Sequence, residues 1–266
     1  MRVDIVSISG GKDSAALAIY LNKNSKYKDM KFEYIFVDTG EELEETYKYL
    51  EKLENLLGIK IKRLTPKKSF DEYLLEHNYF LPSIRDRWCT KKLKIDTFLD
   101  YIKIYKDKKI YNYVGIRADE EHRKGLVIDN VNTVMPFKEN GLVLNDVKRI
   151  LYENGLGLPE YYDNVYDEKF DISYNRSRSG CYFCFFMKKI EWVWLYEKHP
   201  KLFKKAMEYE KENFSWIDGM RLEDLIKNID KIKLSYKNNK RTKKGKLLAD
   251  IVDETLDEND DCSFCL

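Results

Sequence analysis

The stretch Ser7-Ile8-Ser9-Gly10-Gly11-Lys12-Asp13-Ser14 decides which fold the rest of this chain predicts. It follows the mostly apolar residues 3–6 and precedes the alanine-rich residues 15–20. A strand that ends at two glycines and passes at once into a helix leaves free N–H groups at the helix N-terminus. Such an end binds anions, and Lys12 adds a full positive charge. The stretch therefore predicts a cradle for phosphate groups; the alternative is a glycine turn with a solvated Lys12.

The candidate phosphate-binding residues all lie in this cradle. They are Ser7, Ser9, Gly10, Gly11, Lys12, Asp13 and Ser14. The carboxylate of Asp13 is the nearest group that can help to bind Mg²⁺, which bridges phosphate oxygens. A Walker motif needs four residues between its first glycine and the Gly-Lys pair, and this spacing is absent, so the stretch does not predict a P-loop triphosphatase.

Composition excludes several classes of protein. The chain has 266 residues, and its 48 Lys+Arg nearly balance its 46 Asp+Glu, so the net charge of +2 does not mark a nucleic-acid protein. Uninterrupted apolar segments are too short to span a bilayer, and we expect no membrane contact and a cytoplasmic location. In that compartment the five cysteines are expected as reduced thiols, metal ligands or catalysts. With three histidines, histidine-based acid–base chemistry is unattractive.

Strand and helix patterns alternate through the first part of the chain. Strands are predicted at residues 3–8, 32–37, 59–64 and 110–116, and helices at residues 12–22, 41–57, 70–76 and 91–104. This alternation predicts an α/β fold, a doubly wound parallel sheet with helices on both faces. Ligands of such folds bind beyond the carboxyl ends of the strands. The turns at residues 10–11 and 38–40 both fall at that edge.

The second part of the chain has a different pattern. We predict a nucleotide-binding α/β domain over residues 1–155 and a helical, cysteine-containing region over residues 156–266. Residues 155–180 are rich in Gly, Pro, Asn and Ser and predict a long loop, followed by helices at 188–210 and 221–232. The basic run 237–246 is interpreted as a solvated segment, with contact to RNA or DNA as the alternative.

Two CxxC pairs stand far apart in the sequence, Cys181 with Cys184 and Cys262 with Cys265. Each pair can present two thiolates to one metal centre, and two pairs together suit zinc or an iron–sulfur cluster. The alternative is a set of incidental core cysteines. The fifth cysteine, Cys89, lies among basic residues before a predicted helix, where cations lower the pKa of a thiol. It is a candidate metal ligand or reactive thiol, and a cluster could also use three cysteines and leave one iron open.

Several motifs together carry a resemblance to a known family. The stretch 7–14 resembles the PP-loop of the ATP pyrophosphatase (adenine nucleotide alpha hydrolase) superfamily, whose members generally cleave ATP between the α and β phosphates. The other motifs are Val37-Asp38-Thr39-Gly40, Arg87-x-Cys89-Thr90, Gly115-Ile116-Arg117-Ala118-Asp119-Glu120-x-x-Arg123 and Gly180-Cys181-x-x-Cys184-Phe185. In this order they resemble the phosphoadenosine phosphosulfate (PAPS) reductase family, in the prokaryotic and phage subgroup that includes the sulfur-transfer subunit of DNA phosphorothioation systems.

The resemblance implies roles for individual residues. Asp38 and Gly40 would contact the nucleotide, and Arg117 and Arg123 can bind phosphate or sulfate bidentately, a salt-bridged surface role being the alternative. Candidate catalytic groups are Lys12, Asp13, Cys89 and Arg117. The resemblance implies a [4Fe-4S] cluster rather than zinc, with Cys89, Cys181, Cys184 and one of Cys262 or Cys265 as ligands.

Departures from the family pattern separate three functional hypotheses. PAPS reductases end in a Glu-Cys-Gly motif, and adenylylsulfate reductases have adjacent cysteines where this chain has Trp88-Cys89. The leading hypothesis is therefore an enzyme that uses ATP and Mg²⁺ to adenylate an acceptor, a nucleic acid or a small molecule, and supports cluster-dependent sulfur transfer. The second is a sulfonucleotide reductase that releases sulfite. The third is a non-catalytic nucleotide-binding subunit, and a homo-oligomer or an operon partner is compatible with all three.

Overall fold

A computed structural model describes residues 2–125, 127–212 and 214–244 of the chain. Its centre is a sheet of five parallel strands in the order β3-β2-β1-β4-β5. The strands are β1 Arg2–Ile8, β2 Phe32–Val37, β3 Ile61–Leu64, β4 Lys109–Tyr113 and β5 Val131–Val134. The strand order reverses between β1 and β4, and ligand crevices of open α/β sheets form at the carboxyl ends of strands at such a point.

Helices cover both faces of this sheet. The helices of this half are α1 Lys12–Lys23, α2 Glu44–Leu57, α3 Phe70–Glu76, α4 Asp96–Ile102, α5 Pro136–Glu139 and α6 Leu144–Glu153. Side chains alternate along a strand, so Val6 and Ile8 of β1 pack in one buried cluster with α1, α2 and α6. Ile5 points to the other face and packs with Phe98 of α4. The predicted doubly wound α/β fold is confirmed.

Helix α2 begins three residues later than the sequence pattern predicts. Residues 41–42 are extended instead, because Glu42 forms an antiparallel bridge with Cys181 and the N–H of Tyr182 donates to the carbonyl of Glu41 at 2.8 Å. Tertiary pairing to the cysteine loop therefore overrides the local helical pattern at this point.

The helix predicted at residues 91–104 is divided into three parts. Thr90–Ile95 is π-helical, Asp96–Ile102 is α-helical, and Lys103–Tyr105 forms a 3₁₀ turn. The N–H of Asp96 donates to the carbonyl of Lys91, five residues back, which is the π-helical bond. Cys89 directly precedes this widened segment.

The prediction of an uninterrupted loop over residues 155–180 was wrong. The region contains a 3₁₀ turn, Glu160–Tyr162, and an antiparallel hairpin of β6 Val165–Asp167 and β7 Ile172–Tyr174. Each strand has only three residues, too few for an alternating pattern to show. The buried ammonium of Lys233 lies 2.6 Å from Asp167 Oδ2 and 2.6 Å from Glu197 Oε1, which fastens the hairpin to the helices beside it.

The last described part of the chain is helical. It consists of α7 Lys189–Lys198, α8 Pro200–Tyr209, α9 Leu222–Lys227 and α10 Ile229–Lys244. Trp192 of α7 and Phe203 of α8 are buried in one cluster with Phe70 and Trp88 from the first half. This shared cluster holds the helical region against the first half, and the domain boundary at 155 stays a prediction.

None of the helices within the described ranges is long and apolar enough to cross a membrane.

Candidate functional site

The PP-loop connects β1 to α1, and hydrogen bonds of a serine hydroxyl within the loop hold its turn. Gly10 has φ +73°, in the left-handed region that glycine adopts without strain. Ser14 Oγ donates to the carbonyl of Gly11 at 3.1 Å and accepts from the N–H of Ser9 at 3.1 Å. The turn is therefore fixed where the helix N-terminus begins.

The turn after β4 packs directly against this loop at Gly115. A Cβ added there would lie 2.8 Å from the carbonyl oxygen of Asp13 and 3.1 Å from the backbone nitrogen of Ser14. Backbone atoms at such distances cannot move aside as a flexible side chain can. The close approach explains why glycine stands at the start of the 115–123 motif.

Gly115→Ala is expected to lower the free energy of unfolding by about 1–3 kcal/mol, because overpacking forces the PP-loop backbone to shift. Urea unfolding followed by circular dichroism measures the change, and ATP binding should weaken with it. Gly58→Ala separates backbone strain from the clash, since a Cβ at Gly58 would meet nothing within 4 Å and only its φ of +61° disfavours alanine. Both variants should lose stability, but only Gly115→Ala should weaken ATP binding, and equal ATP binding by the two variants would contradict the role of the contact.

A chain of alternating charges runs from the PP-loop to the segment after β4. Lys12 Nζ lies 3.1 Å from Asp13 Oδ2, Arg117 Nη1 lies 2.8 Å from Asp13 Oδ1, and Arg117 Nε lies 2.9 Å from Asp119 Oδ1. Burial by itself raises the pKa of Asp13, but the charges of Lys12 and Arg117 bring that pKa below its usual value. Asp13 is therefore a carboxylate at neutral pH, the form that can bind Mg²⁺.

The 115–123 motif folds around Glu120, which is 1% exposed. One oxygen of Glu120 accepts from the backbone N–H of Arg117 at 2.9 Å, and the other accepts from Arg123 Nη1 at 2.5 Å. Glu120 therefore holds the backbone of Arg117 and the guanidinium of Arg123, and the two guanidinium groups lie in different places. Arg123 lies on the wall of a cavity that also contains the PP-loop. Arg117 does not line this cavity, and its guanidinium donates to Asp13 and Asp119.

A single cavity joins the PP-loop to the cysteines. Its wall includes Ser9, Gly11, Lys12, Asp13, Cys89, Thr90, Lys94, Arg123, Arg178, Ser179, Cys181, Cys184, Phe185 and Phe186. Three of the five cysteines therefore face the same space as the predicted phosphate cradle. The other two, Cys262 and Cys265, lie outside the described residues.

Cys181 lies beside a buried carboxylate. Its Sγ is 3.3 Å from Thr39 Oγ1, which itself donates to Glu42 Oε1 at 2.7 Å. Burial raises the pKa of the Cys181 thiol, and the charge of Glu42 raises it further. The thiol is therefore neutral in the protein alone, and a bound cation would be needed to hold it as a thiolate.

The cysteine set fits a thiolate-ligated group in its chemistry but does not form a closed site. Cys89, Cys181 and Cys184 form no disulfide bonds, are of intermediate exposure and line one cavity. Among the described residues, however, no three Cys, His, Asp or Glu side chains are arranged to hold a metal ion. The ligand set that the sequence implies thus stays a prediction.

The family model for the phosphoadenosine phosphosulfate reductase domain matches residues 4–137, just over half of the chain. The chain belongs to this family. The matched region contains the sheet except for the first two residues of β1, together with the PP-loop, Cys89 and the Arg117–Arg123 motif. It confirms the resemblance that the motifs carry and identifies the chain as a member of a family of nucleotide-binding enzymes.

Three curated relatives have no described activity. Two uncharacterized proteins of Methanocaldococcus jannaschii are 29% identical over 224 residues and 30% identical over 210 residues, and they cover 81% and 76% of this chain. The chain spans only 47% and 40% of their lengths. An uncharacterized 37.8 kDa protein of Escherichia phage 186 is 25% identical, with 79% of this chain and 75% of its own length covered.

Two solved structures are similar at 16% identity. A PAPS reductase from Candida auris in complex with phosphate covers 64% of this chain and 83% of its own, with a TM-score of 0.45. The U34-tRNA thiolase NcsA from Methanococcus maripaludis with its [4Fe-4S] cluster covers 86% of this chain and 80% of its own, with a TM-score of 0.43.

Some of the predicted site residues of this PAPS reductase family member lie away from the cavity wall. Ser7 Oγ donates to Asn112 Oδ1 at 2.7 Å and so links β1 to β4. Asp38 Oδ1 accepts from the hydroxyl of Tyr47 at 2.7 Å and from the N–H of Gly40 at 2.9 Å. These contacts shape the strand ends, and contact of Asp38 and Gly40 with a nucleotide stays a prediction.

Residues 161–186 contribute groups that the sequence analysis did not identify. Tyr161 hydrogen-bonds to the PP-loop carbonyl of Gly10, and Tyr162 hydrogen-bonds to Lys12. A Cβ added at Gly11 would lie 2.9 Å from Ser179 Oγ, so the segment before Cys181 lies directly against the PP-loop. Tyrosines and serines between glycines give no periodic signal, so sequence spacing could not have marked them.

Aromatic rings and guanidinium groups lie together at the part of the cavity wall that follows Cys184 in the chain. The rings of Phe185 and Phe186 lie 4.4 Å apart, centre to centre. The guanidinium carbons of Arg87 and Arg178 lie 4.9 Å and 5.2 Å from the centre of the Phe186 ring. Both arginines are thus held beside one ring.

Proposed function

We propose that this PAPS reductase family member is a PP-loop ATP pyrophosphatase that adenylates an acceptor and supports iron–sulfur-dependent transfer of sulfur to it. The observation that carries the proposal is the shared cavity. Its wall includes Ser9, Gly11 and Lys12 of the PP-loop, and it also includes Cys89, Cys181 and Cys184. Activation by ATP and delivery of sulfur must act on the same group of the acceptor, and a single cavity supports this.

The nucleotide half of the reaction needs a fixed set of donors. The helix N-terminus after Gly11, the ammonium of Lys12 and the guanidinium of Arg123 would bind the β and γ phosphates of ATP, while Asp13 helps to bind Mg²⁺. An acceptor oxygen attacks the α phosphorus, the bond from that phosphorus to the bridging oxygen breaks, and pyrophosphate leaves. The fixed cations stabilise the charge that develops on the leaving group.

The sulfur half depends on the cysteines. Cys89, Cys181 and Cys184 would bind the [4Fe-4S] cluster, with Cys262 or Cys265 as a fourth ligand, and zinc is the alternative occupant. When bound, the cluster would supply iron that binds sulfur. Sulfide, supplied as a co-reactant, would then attack the acceptor atom that carries the adenylated oxygen. The bond from that atom to the oxygen breaks and AMP leaves with the oxygen, so the exchange needs no oxidant or reductant.

The rings and guanidinium groups around Phe186 favour a nucleic acid over a small molecule as acceptor. Proteins stack unpaired bases on aromatic rings and on arginine guanidinium planes, and Phe185, Phe186, Arg87 and Arg178 supply both kinds of group. A sulfonucleotide reductase remains the second candidate, because the family model that matches the chain describes that activity.

Two product assays and one metal analysis separate these functions. We expect the full chain, purified without oxygen, to contain about four iron atoms and to release pyrophosphate from ATP when acceptor RNA or DNA is present. Sulfite from PAPS or adenylylsulfate, without pyrophosphate from ATP, would favour the reductase. Tight ATP binding with neither product would favour a non-catalytic subunit. Stoichiometric zinc without iron would exclude the cluster.

A further inference from the structure

The hydroxyl of Tyr161 bonds to the backbone of the PP-loop from 151 residues away. It donates to the carbonyl oxygen of Gly10 at 3.0 Å, and the tyrosine side chain is fully buried. Burial raises the pKa of Tyr161 well above its usual value, so the hydroxyl stays protonated and remains a donor. This bond joins the second half of the chain to the phosphate cradle.

A hydrogen bond to the Gly10 carbonyl orients the whole Gly10–Gly11 peptide plane, including the Gly11 N–H. In a trans peptide the carbonyl of one residue and the N–H of the next point in opposite directions. The bond from Tyr161 therefore also sets the direction of the Gly11 N–H, away from the tyrosine. Two glycines in sequence allow this peptide plane to rotate more freely than other residues would, so an external anchor has an effect here. Gly11 lies on the cavity wall.

The neighbouring Tyr162 holds a second phosphate-binding group. Its hydroxyl donates to the carbonyl of Ser177 and accepts from Lys12 Nζ at 3.2 Å. The turn that carries both tyrosines is itself held by the loop before the cysteines, because Asn175 Nδ2 donates to the carbonyl of Tyr162 at 2.6 Å and the N–H of Arg176 donates to that of Tyr161 at 3.2 Å.

We infer that Tyr161 is a positioning residue for the phosphate cradle: its hydroxyl holds the Gly10–Gly11 peptide in the orientation that binds a pyrophosphate or triphosphate chain. The inference rests on the proposed function for the identity of the ligand. Tyr161 touches no phosphate itself and acts through the Gly11 N–H.

The test compares two conservative variants in the full chain. Tyr161→Phe removes one hydroxyl and keeps the ring. Tyr27→Phe is the matched control, because the hydroxyl of Tyr27 is also buried, far from the cavity, and has no hydrogen-bond partner among the described residues. Isothermal titration with inorganic pyrophosphate and Mg²⁺ measures binding without any turnover. Urea unfolding of each variant separates binding from stability.

We expect Tyr161→Phe to bind pyrophosphate about tenfold more weakly than the wild type, the effect of one lost hydrogen bond, and Tyr27→Phe to bind like the wild type. Pyrophosphate should also slow hydrogen exchange of the Gly11 amide in the wild type. Unchanged affinity of Tyr161→Phe, or a Gly11 amide that pyrophosphate does not protect, would overturn the inference. Pyrophosphate binding that depends on Tyr161, without cleavage of ATP, would overturn the proposed function alone.

Discussion

Lys12→Met is expected to lower the rate of pyrophosphate release from ATP by about 10²–10³-fold, the usual loss when one fixed charge or donor at a developing negative charge is removed. The Lys12 side chain is only 9% exposed and is held between Asp13 and Tyr162, so its ammonium is already oriented before a nucleotide arrives. Methionine keeps most of the length of the side chain and removes the charge. The change should appear mainly in kcat, because the charge on the leaving group is greatest in the transition state.

Lys23→Met is the matched control for this experiment. Lys23 lies in the last turn of the same helix, α1, and is exposed to solvent, so its replacement should leave both kcat and KM unchanged. A Lys12→Met enzyme that releases pyrophosphate at the rate of the control would show that the PP-loop does not act on ATP in the way proposed.

The sheet and the PP-loop could be predicted because their signals are local. Strand, turn and helix follow one another within residues 2–23, and the same pattern repeats at β2 and α2. In an alternating chain each helix returns the chain to the edge at which the previous strand began, so neighbouring strands run parallel and no distant contact has to be known. The edge at which residues 10–11 and 38–40 lie could be predicted for the same reason.

The packing of residues 161–181 against the PP-loop and against Glu42 could not be predicted, because it depends on contacts between residues far apart in the sequence. Tyr161 reaches Gly10, Ser179 reaches Gly11 and Glu42 pairs with Cys181, and each contact joins residues more than 130 positions apart. The pairing of Glu42 with Cys181 also moves the start of α2 against its local pattern. For Arg117 the motif was visible in the sequence but the contacts were not. The motif predicts that Arg117 binds phosphate, and only the fold shows its guanidinium paired with Asp13 and Asp119.

Arg176 is a further residue that only the fold identifies, and its replacement is expected to have the largest effect on stability. The guanidinium is fully buried, and it donates to the carbonyls of Arg178, Gly180, Cys181 and Tyr182, the closest at 2.6 Å from Nη2 to Cys181 O. The segment before and through Cys181 is thus wrapped around one side chain. Arg176→Met would remove all four of these bonds, and a hydrogen bond to a charged group contributes about 1.5–3 kcal/mol.

We therefore expect Arg176→Met to lower the free energy of unfolding by at least about 3 kcal/mol, measured by urea unfolding. The loop should also loosen, so Cys181 and Cys184 of the folded variant should react faster with a thiol reagent than those of the wild type. Arg149→Met is the control, since Arg149 is largely exposed and pairs with Asp146 on α6. Arg176→Lys keeps the charge but cannot reach four carbonyls at once, so partial recovery of both quantities is expected. If Arg176→Lys fully recovered the stability and the thiol reactivity of the wild type, charge alone would matter at this position. Unchanged thiol reactivity in Arg176→Met would mean that the loop does not depend on this guanidinium for its shape.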